Sequence, residues 1–193
     1  MAEYIIRRGK PDDAWVACYP WPMGYEPKVR AQLTWSEHGL HVAMTAWEQT
    51  IVAKEWRMGG MVCQDSCMEF FFQPMPESDA RYINIELNPL GVMHIGIGAA
   101  RQGRTVIMEY PEGMRPEIQI IAGECWTARY TIRTDWLSSL FPGWAPREGM
   151  RMRGNFFKCD ETIHPHFGCW HPVHTKEPDF HTPDDFGELL LAT

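Results

Sequence analysis

Short segments of alternating apolar and polar residues recur along the chain, separated by turns rich in Gly and Pro. Successive side chains of a β-strand point to opposite faces, so this alternation predicts half-buried strands. Strands are expected at residues 28–35, 40–46, 67–73, 82–88, 92–97, 118–121, 126–133, 150–159, 166–171 and 187–191. One short helix is expected at residues 135–141, with Thr134 as its N-cap. The pattern predicts an all-β fold, a two-sheet antiparallel β-sandwich of immunoglobulin or jelly-roll type with one short helix.

The segment at residues 82–88 shows this alternation most clearly. Its aliphatic residues, which are predicted to face the core, are Ile83, Ile85 and Leu87. The opposite face then carries Tyr82, Asn84, Glu86 and Asn88. Amides and a carboxylate on an accessible sheet face are suited to hydrogen bonding with sugar hydroxyls. An ordinary solvated face is the alternative interpretation.

The size and charge of the chain limit the class of protein to which it can belong and the partners that it can bind. Its length of 193 residues suits one domain, residues 1–193. Hydrophobic residues make up 45% and charged residues 22%, which is typical of a globular domain rather than a disordered chain. The formal net charge of -7 provides no broad basic surface, so neither nucleic acid nor an anionic membrane is an expected partner.

The amino terminus lacks the apolar stretch of a signal peptide, and no segment has the roughly 20 apolar residues of a transmembrane helix. We therefore expect a cytoplasmic location, or an extracellular one if a leader has been removed. Six cysteines are too few for a fold built on disulfides, so reduced thiols are expected. Cys63 and Cys67 are expected to be buried and inert.

The aromatic content is high, with 9 Trp, 9 Phe and 6 Tyr residues. Large aromatic side chains are normally either buried in a core or part of a binding surface. Those expected in the core or at its ends are Trp126, Tyr130, Trp136, Trp144 and Trp170. Three aromatic residues are left as candidate ligand platforms, namely Trp47, Trp56 and Phe180.

Candidate metal ligands are concentrated near the carboxyl terminus. Two thiols and four imidazoles suited to zinc follow one another closely there: Cys159, His164, His166, Cys169, His171 and His174. Their spacing matches neither of the paired patterns of structural zinc sites. Surface or hydrogen-bonding roles are therefore the favoured interpretation of the histidines.

The sequence offers little support for catalysis. It contains no nucleophile elbow, no zinc-protease motif and no Gly-rich phosphate loop. Asp65 and Glu69 lie four residues apart on a predicted strand, hence about 13 Å apart, which is wider than the carboxylate separations of glycoside hydrolysis. A binding protein is expected rather than an enzyme.

Several segments resemble, in order and spacing, the family 9 carbohydrate-binding modules, specifically the single-domain family 9-like group within the DOMON-type β-sandwiches. They are KVRAQLTW, LHVAMTAWE, QDSCMEFFF, YINIELNPLG, GNFFKCDE, HPHFGCWHP and PDFHTPDDFGELLL. The resemblance implies a β-sandwich and non-catalytic binding of a carbohydrate ligand, a mono- or oligosaccharide. No cofactor is required for such binding. Some members hold structural calcium, so calcium is a candidate ligand here, with Asp12 and Asp13 in the loosely matching loop.

In this family two tryptophans clamp a sugar ring. The first corresponds to the region of Val62, where the chain has no aromatic residue, so Trp56 or Trp47 is expected to substitute for it. The second corresponds to Phe180. The polar residues expected to recognise the hydroxyls are Asn84, Glu86, Asn155, Lys158, His164 and His166. Lys158 and Glu86 offer a complementary donor and acceptor, and a structural salt bridge between them is the alternative.

Two other functions stay open at this point. DOMON-type relatives can hold haem between a methionine and a histidine, and Met93 lies beside His94 in this chain. A haem- or metal-binding domain is therefore one alternative. An intracellular interaction module is the other, because the sequence shows no signal peptide.

Overall fold

A computed structural model describes residues 3–193 of the chain. Within them it contains one α-helix, α1 (Thr134–Leu140), and two 3-10 turns, Val62–Gln64 and Pro183–Asp185. The strands are β1 (Glu3–Arg7), β2 (Ala14–Val16), β3 (Lys28–Ser36), β4 (Gly39–Trp47), β5 (Cys67–Gln73), β6 (Tyr82–Leu87), β7 (Met93–Gly98), β8 (Thr105–Ile107), β9 (Glu117–Ile121), β10 (Cys125–Arg133), β11 (Arg151–Asp160), β12 (His166–Cys169) and β13 (Gly187–Ala192). Every predicted strand is present, and β1, β2 and β8 are additional.

The strands form one large mixed sheet, which curls so that its two halves enclose the core. One half has the order β9-β10-β4-β3-β1-β13, with β2 on β3. The other has the order β11-β5-β6-β7-β8, with β12 on β11. The halves join where β11 and β13 pair in antiparallel fashion. This arrangement confirms the predicted β-sandwich.

β1 is the exception to the predicted antiparallel pairing. It runs parallel to β13, with Ile6 opposite Leu191, and parallel to β3, with Arg7 opposite Thr34. Parallel neighbours cannot be joined by a tight turn, so they come from distant parts of the sequence. β1 therefore connects the beginning of the chain to its last strand.

The main core lies between the two halves of the sheet and is predominantly apolar. Its fully buried members from both halves include Leu33, Leu40, Ile132, Phe70, Ile85 and Phe156. Phe70 stacks on both Phe72 and Phe156, with ring centroids 4.8 and 4.9 Å apart. The inward orientation predicted for the aliphatic residues of β6 is confirmed.

The helix lies where the sequence places it, but its start differs from the prediction. Thr134 is the first helical residue rather than the cap, and its hydroxyl donates to the Glu37 carbonyl. The extended residue before the helix is Arg133, which makes no side-chain cap. Trp144 is buried beside the helix and Trp136 is partly buried. Among the described residues, no helix has the length and apolarity needed to cross a membrane.

Candidate functional site

The outer face of β5, β6, β7 and β11 is covered by chain rather than left to solvent. Two segments cover it, residues 48–66 between β4 and β5 and residues 170–186 before β13. A second apolar cluster packs beneath them, and its members include Trp21, Val62, Phe71, Tyr82, Phe157, Phe180 and Phe186. The sheet therefore has a filled outer side, and only part of it is open to ligands.

The open part is a cleft of about 260 Å³ between the two covering segments. Its polar lining includes Glu69, Glu86, His94, Arg101, Cys159, Glu161, Asp179 and His181. Its apolar lining includes Met61, Phe71, Phe167, Pro178 and Phe180. A concave surface that combines aromatic rings with a few convergent polar groups is the usual form of a small-molecule site.

Phe180 forms part of the aromatic wall, but one of its faces is occupied. Its ring stacks on Phe157, with centroids 4.1 Å apart and an interplanar angle of 12°. Phe167 meets it edge-on at 6.0 Å and Trp21 lies tilted at 6.1 Å. Only 8% of Phe180 is exposed. The predicted platform therefore presents a limited part of its ring to the cleft.

Two buried carboxyl groups, Glu69 and Glu86, lie side by side on the floor of the cleft. They are directly opposite each other in the pairing of β5 with β6. Burial raises the pKa of both groups, and the charge of Glu86 raises the pKa of Glu69 further. Glu86 Oε1 accepts a hydrogen bond of 2.8 Å from the Asn84 amide. Glu69 Oε1 accepts one of 3.0 Å from the Cys159 thiol.

Two histidines at the cleft have one ring nitrogen engaged by the protein. His94 Nδ1 lies 3.0 and 3.2 Å from the carbonyl oxygens of Gly59 and Gly60, so its N–H group donates a hydrogen bond shared between them. Its Nε2 is then free to accept from a ligand in the neutral ring. His181 Nδ1 lies 2.8 Å from the Tyr82 hydroxyl. Burial and the charges of nearby arginines lower the pKa of His181 to about 4, so this ring is neutral at pH 7.

Arginines position two parts of the cleft. Arg104 stacks over the Tyr82 ring at 4.0 Å, and its guanidinium donates to Asn84 Oδ1 and to several carbonyl oxygens. Arg101 forms an ion pair of 2.9 Å with Asp179 on the cleft wall. Neither arginine is predicted from the sequence. Arg101 pairs with a residue distant in the chain, whereas Arg104 donates to groups of β6 and β7.

A family model described as carbohydrate-binding family 9 matches residues 5–128 and 137–191. The chain belongs to carbohydrate-binding family 9. This confirms the family that the sequence segments resemble.

Solved structures share this family 9 fold over nearly the whole chain. A Bacteroides uniformis protein, whose carbohydrate-binding role is itself an inference, has a TM-score of 0.86 at 23% identity, over 98% of each chain. A family 9 module from Caldicellulosiruptor kristjanssonii with cellotriose has a TM-score of 0.65 at 11% identity, over 99% of this chain and 94% of that one. A family 9 module from the same organism in complex with glucose has a TM-score of 0.66 at 11% identity, over 98% of this chain and 95% of that one. At these identities the likeness establishes the fold alone. No curated protein matches the sequence significantly.

Two asparagine side chains of this family 9 chain that are predicted to recognise sugar hydroxyls have structural roles instead. Asn155 is buried, and its side chain forms hydrogen bonds with the backbone of His171 on both its amide and carbonyl ends. Asn84 is buried between Glu86 and Arg104. Neither amide is therefore accessible, and the expectation of an accessible polar face on β6 is wrong for Asn84, which is 1% exposed. Glu86 does reach the cleft.

Lys158 lies on the opposite face of the sheet from the cleft. Strand alternation places it on the same side as Phe156, in the sandwich interior, and its ammonium pairs with Glu48 at 3.3 Å. The expected pairing with Glu86 does not form, and Lys158 is not among the residues that line the cleft. This corrects the predicted donor and acceptor pair, because the two side chains point away from each other across β11 and β6.

The remaining predicted side chains also lie outside the cleft. His164 is exposed and packs near Tyr25, at 5.5 Å between ring centroids. His166 is buried 5.2 Å from the same ring. Trp47 stacks on Trp15 at 6.0 Å on the other half of the sheet. These three are not among the residues lining the cleft.

Trp56 is 76% exposed but lines neighbouring grooves rather than the cleft. Val62, which the resemblance places near the family's first clamp residue, is fully buried. The adjacent residue that faces the cleft is Met61, which is 55% exposed. A flexible thioether therefore stands near the place where the family carries a tryptophan.

The structure does not bring together the residues that the sequence suggests for zinc or haem binding. The six carboxyl-terminal candidates do not gather, and Cys159 alone of them belongs to a compact group of ligands, with Cys67 and Glu69. Met93 is buried in the core while His94 faces the cleft, so these two cannot hold one haem iron between them. The Asp12 carboxylate accepts a hydrogen bond from Arg7, and the Asp13 carboxylate accepts one from Gln32. Calcium binding stays a prediction.

Proposed function

We propose that this family 9 chain binds a mono- or oligosaccharide in the cleft described above, without catalysing a reaction. The observation that supports it most is one concave site in which aromatic rings and buried hydrogen-bonding groups converge, in a chain that belongs to a carbohydrate-binding family. A combination of apolar and polar surface suits carbohydrate, since a pyranose has C–H faces and hydroxyl edges.

The apolar wall is suited to the C–H face of a sugar ring. Phe71, Phe167 and Phe180 form the aromatic part of the cleft lining. Because Phe180 is held flat against Phe157, its position is fixed before a ligand arrives. A fixed ring loses little conformational freedom on binding, which favours affinity.

The polar floor is suited to hydroxyl recognition. Glu86 accepts from sugar hydroxyls, and His94 Nε2 offers a second acceptor close by. Arg101 and Asp179 supply a donor and an acceptor on the wall. Fixed groups of both kinds can satisfy vicinal hydroxyls, each of which both donates and accepts.

The size of the cleft favours recognition of one end of a sugar chain. Pockets that enclose drug-sized ligands are about 300–1,000 Å³, and this cleft is about 260 Å³. A single pyranose ring is therefore the unit that we expect it to enclose. The C. kristjanssonii modules solved with glucose and with cellotriose make glucose and short β-glucans the first ligands to test.

The arrangement of the acids argues for binding rather than hydrolysis. Glycosidases place two carboxyl groups on opposite sides of the scissile bond. Glu69 and Glu86 instead lie next to each other on neighbouring strands, on one floor of the cleft. Both can approach only the same side of a bound sugar.

Isothermal titration calorimetry of the full chain with glucose, cellobiose and cellotriose tests the proposal. We expect one site per chain and unchanged sugars after incubation. Glu86→Gln keeps the shape of the side chain but removes its charge, and we expect about tenfold weaker binding, because hydrogen bonds to charged groups contribute about 1.5–3 kcal/mol.

The matched control is Glu124→Gln, which makes the same change in the exposed turn between β9 and β10. Its affinity is expected to equal that of the unaltered chain. Absence of binding to every sugar, including xylo- and manno-oligosaccharides, contradicts the proposal. Equal affinities for the two variants contradict the assigned cleft.

A further inference from the structure

The floor of the cleft contains a group of side chains that sugar binding does not require. Cys67, Glu69 and Cys159 each offer a ligand atom, and these atoms all lie within 4.8 Å of one another. All three residues are buried. We infer that this group is a binding site for a soft divalent metal ion of the zinc type.

Strand geometry brings the three side chains together. Cys67 and Glu69 are two residues apart on β5, so they share its outer face. Cys159 on β11 is the direct partner of Cys67 in the antiparallel register. The ligands therefore project from two paired strands, a rigid support that holds them in place without a loop rearrangement.

The ligand atoms lie at separations close to those around a tetrahedral ion, since all are within 4.8 Å of one another. Zinc–sulfur bonds of about 2.3 Å place two tetrahedral sulfur ligands about 3.8 Å apart. The Cys159 thiol is already 3.0 Å from Glu69 Oε1. The zinc ion would replace the proton that now lies between these two atoms, and both thiols would release their protons to solvent.

The surrounding charges also favour a cation. Glu86 lies opposite Glu69, and Cys63 and Glu161 line the same cleft. The nearby cations have other partners in the described part of the chain, because Lys158 pairs with Glu48 and Arg101 pairs with Asp179. A bound dication would offset the charge of the buried carboxyl group.

The ligand types indicate which metal to expect. Two thiols disfavour calcium and magnesium, which prefer oxygen ligands, and favour zinc or another soft ion. The three protein ligands leave a fourth position, and Glu69 and Cys159 are the members that border the cleft. That fourth position therefore faces the open space, where Glu86, water or a bound hydroxyl can complete the coordination.

Cobalt(II) provides the most direct test, because thiolate ligands give it a charge-transfer absorption that histidine or carboxylate ligands do not give. The full, untagged chain is stripped with a chelator, kept reduced and titrated with cobalt(II). We expect one equivalent to produce the thiolate band and one equivalent of zinc to remove it. Cys67→Ser and Cys159→Ser each remove one of the two thiolates, so each is expected to lose a large part of the band and to weaken zinc binding by on the order of 100-fold.

The control is Cys125→Ser, which alters a buried cysteine on β10 in the other half of the sheet and is expected to leave the spectrum unchanged. Glu69→Gln provides a second variant if the serine variants do not fold, and its zinc affinity is expected to fall. A reduced, folded chain without the thiolate band overturns the inference. Metal binding by histidines alone gives that result. The sugar titration is a separate readout, so failure of either proposal is recognised independently.

Discussion

The ammonium group of Lys158 lies 3.3 Å from Glu48 Oε2, and the two side chains are 0% and 1% exposed. Glu48 also accepts a hydrogen bond of 2.6 Å from Trp126 Nε1. Lys158 belongs to β11, whereas Glu48 follows β4 and Trp126 lies on β10. This buried ion pair therefore joins the two halves of the sandwich through its interior.

Replacement of Lys158 tests this structural role. Lys158→Met leaves the Glu48 carboxylate buried without its cation, and we expect a loss of about 3–5 kcal/mol in the free energy of unfolding. The double variant Lys158→Met with Glu48→Gln is expected to recover much of this loss. Denaturant unfolding measures both changes.

Lys54→Met is the control for this pair, because Lys54 is exposed and the same change there is expected to leave stability nearly unaltered. Sugar affinity of a folded Lys158→Met protein should match that of the unaltered chain. Normal stability combined with lost sugar affinity would show that Lys158 acts in ligand binding instead.

His166 is expected to make stability depend on pH. Burial, followed by the charge of Lys158, lowers the pKa of this histidine from its usual 6.5 to about 3. The unfolded chain gains a proton below pH 6.5 while the folded chain does not, so stability falls as the pH decreases from 6.5 towards 3. The contribution of His166 to the free energy of unfolding changes by at most about 1.4 kcal/mol per pH unit.

His166→Asn isolates that contribution, because asparagine can still donate to the His164 carbonyl in place of Nδ1 but does not titrate. The stability difference between the unaltered chain and the variant is expected to shrink as the pH is lowered. A stability difference that stays constant as the pH falls from 6.5 to 4 would contradict this account of His166.

Met61 offers a way to strengthen sugar binding. It lines the same cleft as Phe180 and is largely exposed. Met61→Trp would supply a second aromatic face, and we expect an affinity gain of about fivefold, equivalent to about 1 kcal/mol of ring stacking. Met23→Trp, at another exposed methionine, is the control and should leave affinity unchanged. Equal or weaker binding by Met61→Trp would place the sugar away from this wall.

The alternation of residues predicts most of the sheet, and applied strictly it also assigns Lys158 correctly. Asn155 and Lys158 are three residues apart on one strand, so they cannot both face the same ligand. The expectation that both read sugar hydroxyls conflicts with this rule. The structure resolves the conflict by directing Lys158 to the interior and Asn155 to the outer face, where loops cover it.

Other features depend on contacts that local sequence does not encode. β1 has five residues, and its pairing with β13 joins the two ends of the chain. The cleft likewise combines Met61, Glu86 and Phe180 from three distant segments. The positions of the covering segments decide which polar residues stay open, as the different exposures of Glu86 and the buried Asn84 illustrate. Such coverage arises from tertiary packing rather than from periodicity.

The location of the sugar is the central claim, and nuclear magnetic resonance tests it most directly. Backbone and side-chain signals of the labelled full chain are followed while glucose or cellotriose is added. The account predicts progressive shifts at Gly60, His94, Arg101 and His181, all at the cleft, with the Trp47 indole signal unchanged on the other half of the sheet. Shifts confined to Trp47 and its neighbours, with the cleft signals unmoved, would contradict it.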